Sequence, residues 1–106
     1  MKKIGICGTG LMGASMAQIF AEQGYETKIY GRTEASLERA KKIVHLAEDR
    51  GLVYTTVLED LKDSDIIIES IVEELSAKQA LFERLSKIVG PETILATNTL
   101  RGLAHF

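Results

Sequence analysis

Short apolar runs alternate with helical patterns along the chain, and that alternation leaves few folds open. "KIGIC" (Lys3–Cys7), "ETKIY" (Glu26–Tyr30), "GLVYTT" (Gly51–Thr56), "DIIIES" (Asp65–Ser70) and "TILATN" (Thr93–Asn98) read as strands. Helices are predicted between them, over Leu11–Gln23, Glu34–Arg50 and Glu73–Val89. "DIIIES" is continuously apolar, as suits a parallel strand covered on both faces. The order predicts an α/β fold, a doubly wound parallel sheet with helices on both sides. A length of 106 residues suits one domain, taken as residues 1–106.

Each helix has an expected core face. In the first, Met12, Met16, Ile19 and Phe20 lie near one side. In the second the face is Leu37, Ala40, Ile43, Val44 and Ala47, with Thr33 as N-cap. In the third it is Ala77, Leu81, Phe82, Leu85, Ile88 and Val89, ended by Gly90 and Pro91.

Composition excludes several functions. A net charge of −2 gives no general attraction to nucleic acid or an anionic membrane. No run approaches the ~20 apolar residues of a membrane span, and "MKKIGICGTG" lacks the apolar core of a secretory signal. The lone Cys7 excludes an internal disulfide, reads as a small buried side chain and implies a cytoplasmic setting. His45 reads as a helix surface residue, and the two histidines with one cysteine make no metal set.

"CGTGLMG" places Gly8, Gly10 and Gly13 at the turn between the first strand and the first helix. In that context G-x-G-x-x-G points to a dinucleotide. The first glycine permits the turn, the second admits the pyrophosphate, and the third lets helix and strand pack closely. Free N–H groups at the helix start then face the phosphates. The cofactor segment is therefore Gly8, Thr9, Gly10, Leu11, Met12 and Gly13. An acidic residue that would bond a ribose 2′-hydroxyl belongs at Gly31, where there is no carboxylate; Arg32 and Thr33 follow. Without that carboxylate, Arg32 and Thr33 favour a 2′-phosphate, hence NADP, with NAD as the alternative.

"KIGICGTGLMGASMAQIFAEQGYETKIYGR", "DIIIESIVEELSAKQALFERL" and "ILATNT" together resemble the N-terminal Rossmann-type NAD(P) domain of 3-hydroxyacyl-CoA dehydrogenases. The pattern E-x-x-x-E-x-x-x-x-K, here Glu69, Glu73 and Lys78, followed by a strand ending in "TNT" carries the specificity of that match. The resemblance implies cofactor roles for Glu73 and Lys78, and places Asn98 near the nicotinamide and the reacting carbon as an orienting group. It implies an oxidoreductase of fatty acid metabolism that moves a hydride between a 3-hydroxyacyl substrate and the nicotinamide.

The chain departs from the family pattern in four ways. Gly31 stands where the family has an acid, and the helical excursion that grips coenzyme A is reduced after "AEDRG". Leu100 stands where the family has a substrate-touching serine. The family's base is a histidine on a following strand, which "GLAHF" echoes only in His105, too close to "TNT" for an intervening helix. On this reading the chain is the cofactor half of a two-domain enzyme, inactive alone, ending before the helical second domain. Acyl-CoA would be a partner only of the full-length protein, and an exposed sheet edge makes a homodimer possible. Two alternatives stay open: the cofactor domain of an NADP-dependent β-hydroxyacid dehydrogenase or imine reductase, and a non-catalytic NADP(H)-binding module.

Overall fold

The computed structural model describes residues 3–45, 51–71 and 75–97. Its elements are β1 (Lys3–Cys7), α1 (Leu11–Glu22), β2 (Glu26–Tyr30), α2 (Glu34–Ile43), β3 (Leu52–Thr55), β4 (Ile66–Glu69), α3 (Leu75–Ile88) and β5 (Ile94–Thr97). A 3-10 turn over Leu58–Leu61 lies between β3 and β4. The strands form one parallel sheet in the order β3-β2-β1-β4-β5. Strand order reverses at β1, which sits between β2 and β4, so a ligand crevice is expected at their carboxyl ends.

Side-chain alternation along the strands sorts the core into two layers. Ile4, Ile6 and Ile29 pack with Ala14, Ala17 and Ala40 from α1 and α2. Cys7, Tyr30 and Ile67 face the other way, onto Leu81 and Leu85 of α3 and Leu58 and Leu61 of the 3-10 turn. The doubly wound expectation holds.

Three details differ from the sequence reading. The buried face of α1 is Gly13, Ala14, Ala17 and Ala21, while Met12 and Ile19 are exposed and Met16 and Phe20 only partly buried. The helix lies so close to the sheet that only small residues fit beneath it, so size decides the face. Next, α2 stops at Ile43 instead of reaching Arg50: Val44 is extended (φ −74, ψ 128) yet still reaches the core, and the His45 N–H donates to Gln18 Oε1 at 2.8 Å. His45 thus follows the helix; Ala47 lies outside the described residues. Thr33 does cap α2, in a reciprocal arrangement with Ser36. Finally, β4 is well covered only on the α3 side. Ile67 is fully buried, but Ile66 and Ile68 are partly open because α1 and α2 lie over β1, β2 and β3.

The 3-10 turn is an element that periodicity does not show. Leu58 and Leu61, three residues apart on a one-turn helix, seal the side of the sheet that α3 leaves open over β2. Leu61→Ala should lower unfolding stability by about 2–5 kcal/mol, read from the urea midpoint at unchanged m-value. A loss below ~1 kcal/mol would mean that the turn merely decorates the core.

Candidate functional site

At the sheet's carboxyl edge, backbone packing leaves no space around two glycines. Gly8 has φ +136, and a Cβ there would fall 2.4 Å from the Ser70 carbonyl oxygen. A Cβ on Gly13 would fall 2.3 Å from the Gly8 carbonyl oxygen. Helix α1 is thereby pressed onto the turn, which is pressed onto the end of β4, where the Ser70 N–H donates to the Cys7 carbonyl at 2.8 Å. Gly10 differs, since a Cβ there would meet nothing within 4 Å. It is the N-cap of α1, no side chain caps that helix, and its first turn carries no acid. The first-turn N–H groups therefore point outward with the positive end of the helix dipole, a geometry suited to a phosphate.

A cleft of about 580 Å³ opens beside this turn. One wall holds Gly8, Thr9, Gly10, Tyr30 and Gly31; a second holds Arg32, Thr33, Ser36 and Arg39 from the start of α2. Ser70, Ile71 and one face of α3 (Ala77, Ala80, Leu81 and Arg84) close the far side. No carboxylate lines the cleft among the described residues. Gly31 is crowded: a Cβ there would lie 2.5 Å from Ser36 Oγ and 2.7 Å from Thr9 Cγ2. Ser36 Oγ is already committed, donating to the Thr33 carbonyl at 2.7 Å. An acidic side chain at position 31 would displace the cap of α2.

Of the residues singled out from sequence, Gly8, Thr9, Gly10, Gly31, Arg32 and Thr33 line the cleft. Gly13 acts beneath it, and Leu11 and Met12 stand exposed beside it. Glu73, Asn98, Leu100 and His105 lie outside the described residues. The Lys78 ammonium is buried, 3.4 Å from Glu69 Oε2, and does not line the cleft. Glu69 is fully buried at the end of β4; its carboxylate also accepts from the Ile71 N–H (2.7 Å) and from Thr97 Oγ1 (2.6 Å). One carboxylate therefore ties β4, β5, α3 and the loop after β4 together. Arg39 and Arg84 escaped the sequence reading. Their signal is positional: Arg39 is one turn beyond Ser36, and Arg84 continues the helical row Ala77, Ala80, Leu81.

Comparison with known proteins settles the lineage. The family model described as 3-hydroxyacyl-CoA dehydrogenase, NAD binding domain, matches residues 3–101. The chain belongs to the 3-hydroxyacyl-CoA dehydrogenase family. A probable 3-hydroxybutyryl-CoA dehydrogenase of Deinococcus radiodurans is 33% identical over 113 residues, covering 92% of this chain and 41% of its own length. Among solved structures, FadB2 of M. tuberculosis is 34% identical with a TM-score of 0.79, over 93% of this chain and 41% of that one. The 3-hydroxyacyl-CoA dehydrogenase of Archaeoglobus fulgidus superposes with a TM-score of 0.84 at 28% identity, over 93% of this chain and 34% of that one. The chain thus spans well under half the length of these relatives and matches the NAD binding domain of the family. The match to the D. radiodurans dehydrogenase runs over more positions than this chain has residues, so the relative carries insertions within the shared span. Among the described residues no helix is long and apolar enough to cross a membrane, and no cluster could hold a metal ion.

The glycines of the turn separate into two crowded positions and an open one, and that division can be tested. Gly13→Ala should lose more than ~2 kcal/mol of stability through overpacking. Gly10→Ala should stay within about 1 kcal/mol of wild type yet bind dinucleotide at least ~10-fold more weakly. Equal stability losses in the two variants, from chemical unfolding beside calorimetric titration, would erase the distinction.

Cys7 makes a second test. Burial first, and then the charge of Glu69 beside it, push its thiol from 9.0 up to about 12. The raised value means that folding favours the neutral thiol. That stability is fully present below the unfolded pKa near 9 and is lost as pH rises from there toward 12. Wild type should lose stability over this window more steeply than Cys7→Ala, and alkylation at pH 8 should require unfolding.

Proposed function

We propose that the chain is the cofactor domain of a dehydrogenase that uses NADP(H) to oxidise or reduce the 3-position of a 3-hydroxyacyl or 3-oxoacyl substrate. The single observation that carries the NADP part is the wall at the end of β2. Gly31 leaves no carboxylate to repel a 2′-phosphate, and Arg32 and the capped N-terminus of α2 stand beside it. Glu34, the acid in the first turn of α2, does not line the cleft.

The residues fit a dinucleotide. The uncapped first turn of α1 would hold the pyrophosphate, with Gly10 giving the approach. Arg32 offers a planar fork to a phosphate monoester, and Thr33 Oγ keeps its own proton to donate while accepting from the Ser36 N–H at 3.1 Å. Bound, the nicotinamide supplies a two-electron hydride acceptor or donor. Glu69 holds the loop after β4 and the end of β5, and so fixes the rim from which Asn98 would orient the reacting group. Lys78, buried behind the cleft against Glu69, supports that carboxylate and through it the rim.

A second reading has one observation in its favour. Only residues 44–51 connect α2 to β3, too few for a helical excursion that grips coenzyme A. A compact 3-hydroxy or 3-oxo acid without coenzyme A suits that short connection.

Calorimetric titration with NADPH and NADH tests the cofactor. NADPH should bind at least ~10-fold tighter, and Arg32→Ala should remove about 1.4 kcal/mol or more of that advantage. Equal affinities would return the site to NAD. Turnover of 3-hydroxybutyryl-CoA against free 3-hydroxybutyrate by the full-length protein separates the two substrate readings.

A further inference from the structure

Three arginines converge on one cleft in a chain whose net charge is −2. Arg32 precedes α2, Arg39 lies on its second turn, and Arg84 stands on α3 across the cleft. None of them forms an ion pair or hydrogen bond among the described residues. Their sequence neighbours explain how they stay free. Glu38, next to Arg39, is held by Lys41 at 3.0 Å, and Glu83, next to Arg84, by Lys87 at 3.6 Å. On each helix the carboxylate next to the arginine is thus paired with a lysine, and the arginine stays unpaired in the cleft.

The pyrophosphate of any dinucleotide is already provided for by the first turn of α1. Three further cations with no lining carboxylate exceed what NAD would require and match one additional dianion. Arginine is also the residue type that binds a phosphate monoester through paired N–H donors. We infer that Arg39 and Arg84 are specificity-determining residues which, with Arg32, form a receptor for a ribose phosphomonoester at the adenosine end of the ligand. The inference rests on the NADP reading above and extends it to two residues on separate helices. Ala77 and Ala80, on the same face as Arg84, line that wall of the cleft with small side chains.

The test is titration of the chain with NADPH, NADH, 2′,5′-ADP, 3′,5′-ADP and 5′-AMP, in wild type and in Arg32→Ala, Arg39→Ala, Arg84→Ala and Lys87→Ala. Far-ultraviolet circular dichroism checks each fold; all three arginines are exposed, so the fold should not change. Arg39→Ala and Arg84→Ala should each weaken NADPH by about 5-fold or more, with NADH within about 2-fold, as loss of one charge-assisted contact predicts. Arg39→Lys and Arg84→Lys should fall between, since a lysine keeps the charge and loses the fork. 2′,5′-ADP should compete, 5′-AMP should not, and the advantage of 2′,5′-ADP should shrink as salt rises. Lys87→Ala, which releases Glu83 beside Arg84, should weaken NADPH in the same direction as Arg84→Ala but by less. If wild type prefers NADPH and Arg32→Ala removes the preference while the Arg39 and Arg84 variants bind like wild type, the inference falls and the NADP reading stands. If these variants weaken NADPH and NADH alike, the inference falls as well. Wild type without NADPH preference overturns both. Equal competition by 3′,5′-ADP assigns the arginines to the phosphate of coenzyme A and overturns the 2′ assignment.

Discussion

The contact between Gly13 and the Gly8 carbonyl is the constraint on which the rest depends. It is a backbone-to-backbone approach that any Cβ would break, so the sequence can hold it only with hydrogen at those positions. From it follow the height of α1 above the sheet and the run of alanines beneath that helix. It also fixes where the first-turn N–H groups end up. The same turn leans on Ser70 at the end of β4, so the phosphate-facing edge of the first unit is tied to the second across the point where strand order reverses. A small domain with a modest core thereby gains a rigid rim at the place where a ligand must be held in register.

Charge is distributed with the same economy. Surface pairs such as Glu38 with Lys41 add little stability, but they occupy carboxylates that would otherwise neutralise the arginines beside the cleft. The buried pair of Glu69 with Lys78 works differently. Its carboxylate collects donors from three directions, which offsets the cost of desolvating it and makes those directions interdependent. Loss of any one donor leaves the others holding a charge in an apolar surrounding.

Much of this was legible in the sequence, and the limits of the reading are physical. The five parallel segments follow from periodicity, because an apolar run such as "DIIIES" has few other places to go. The Gly8–Gly13 turn was legible because its chemistry is local. The core face of α1 was not, since hydropathy favours Met12 and Ile19 while the narrow gap beneath the helix admits only Ala14 and Ala17. The early end of α2 was hidden because Val44 serves the core equally well from an extended backbone. Arg32 could be found by counting from the end of β2. Arg39 and Arg84 could not, because they meet only once two helices on opposite faces of the sheet are both in place.

Gly31 gives the fold an evolutionary asymmetry. Because its missing Cβ is filled by Ser36 Oγ and the Thr9 methyl, an acid cannot enter at position 31 by a single codon change without unseating the helix cap. Ser36 has to shrink first, and that step by itself forfeits part of the capping box. A change from glycine to acid therefore runs through an intermediate that is less stable and has gained nothing in binding, so the path is open mainly to a chain with stability to spare. Position 31 is thus locked to glycine by a hydroxyl whose first duty is the helix cap.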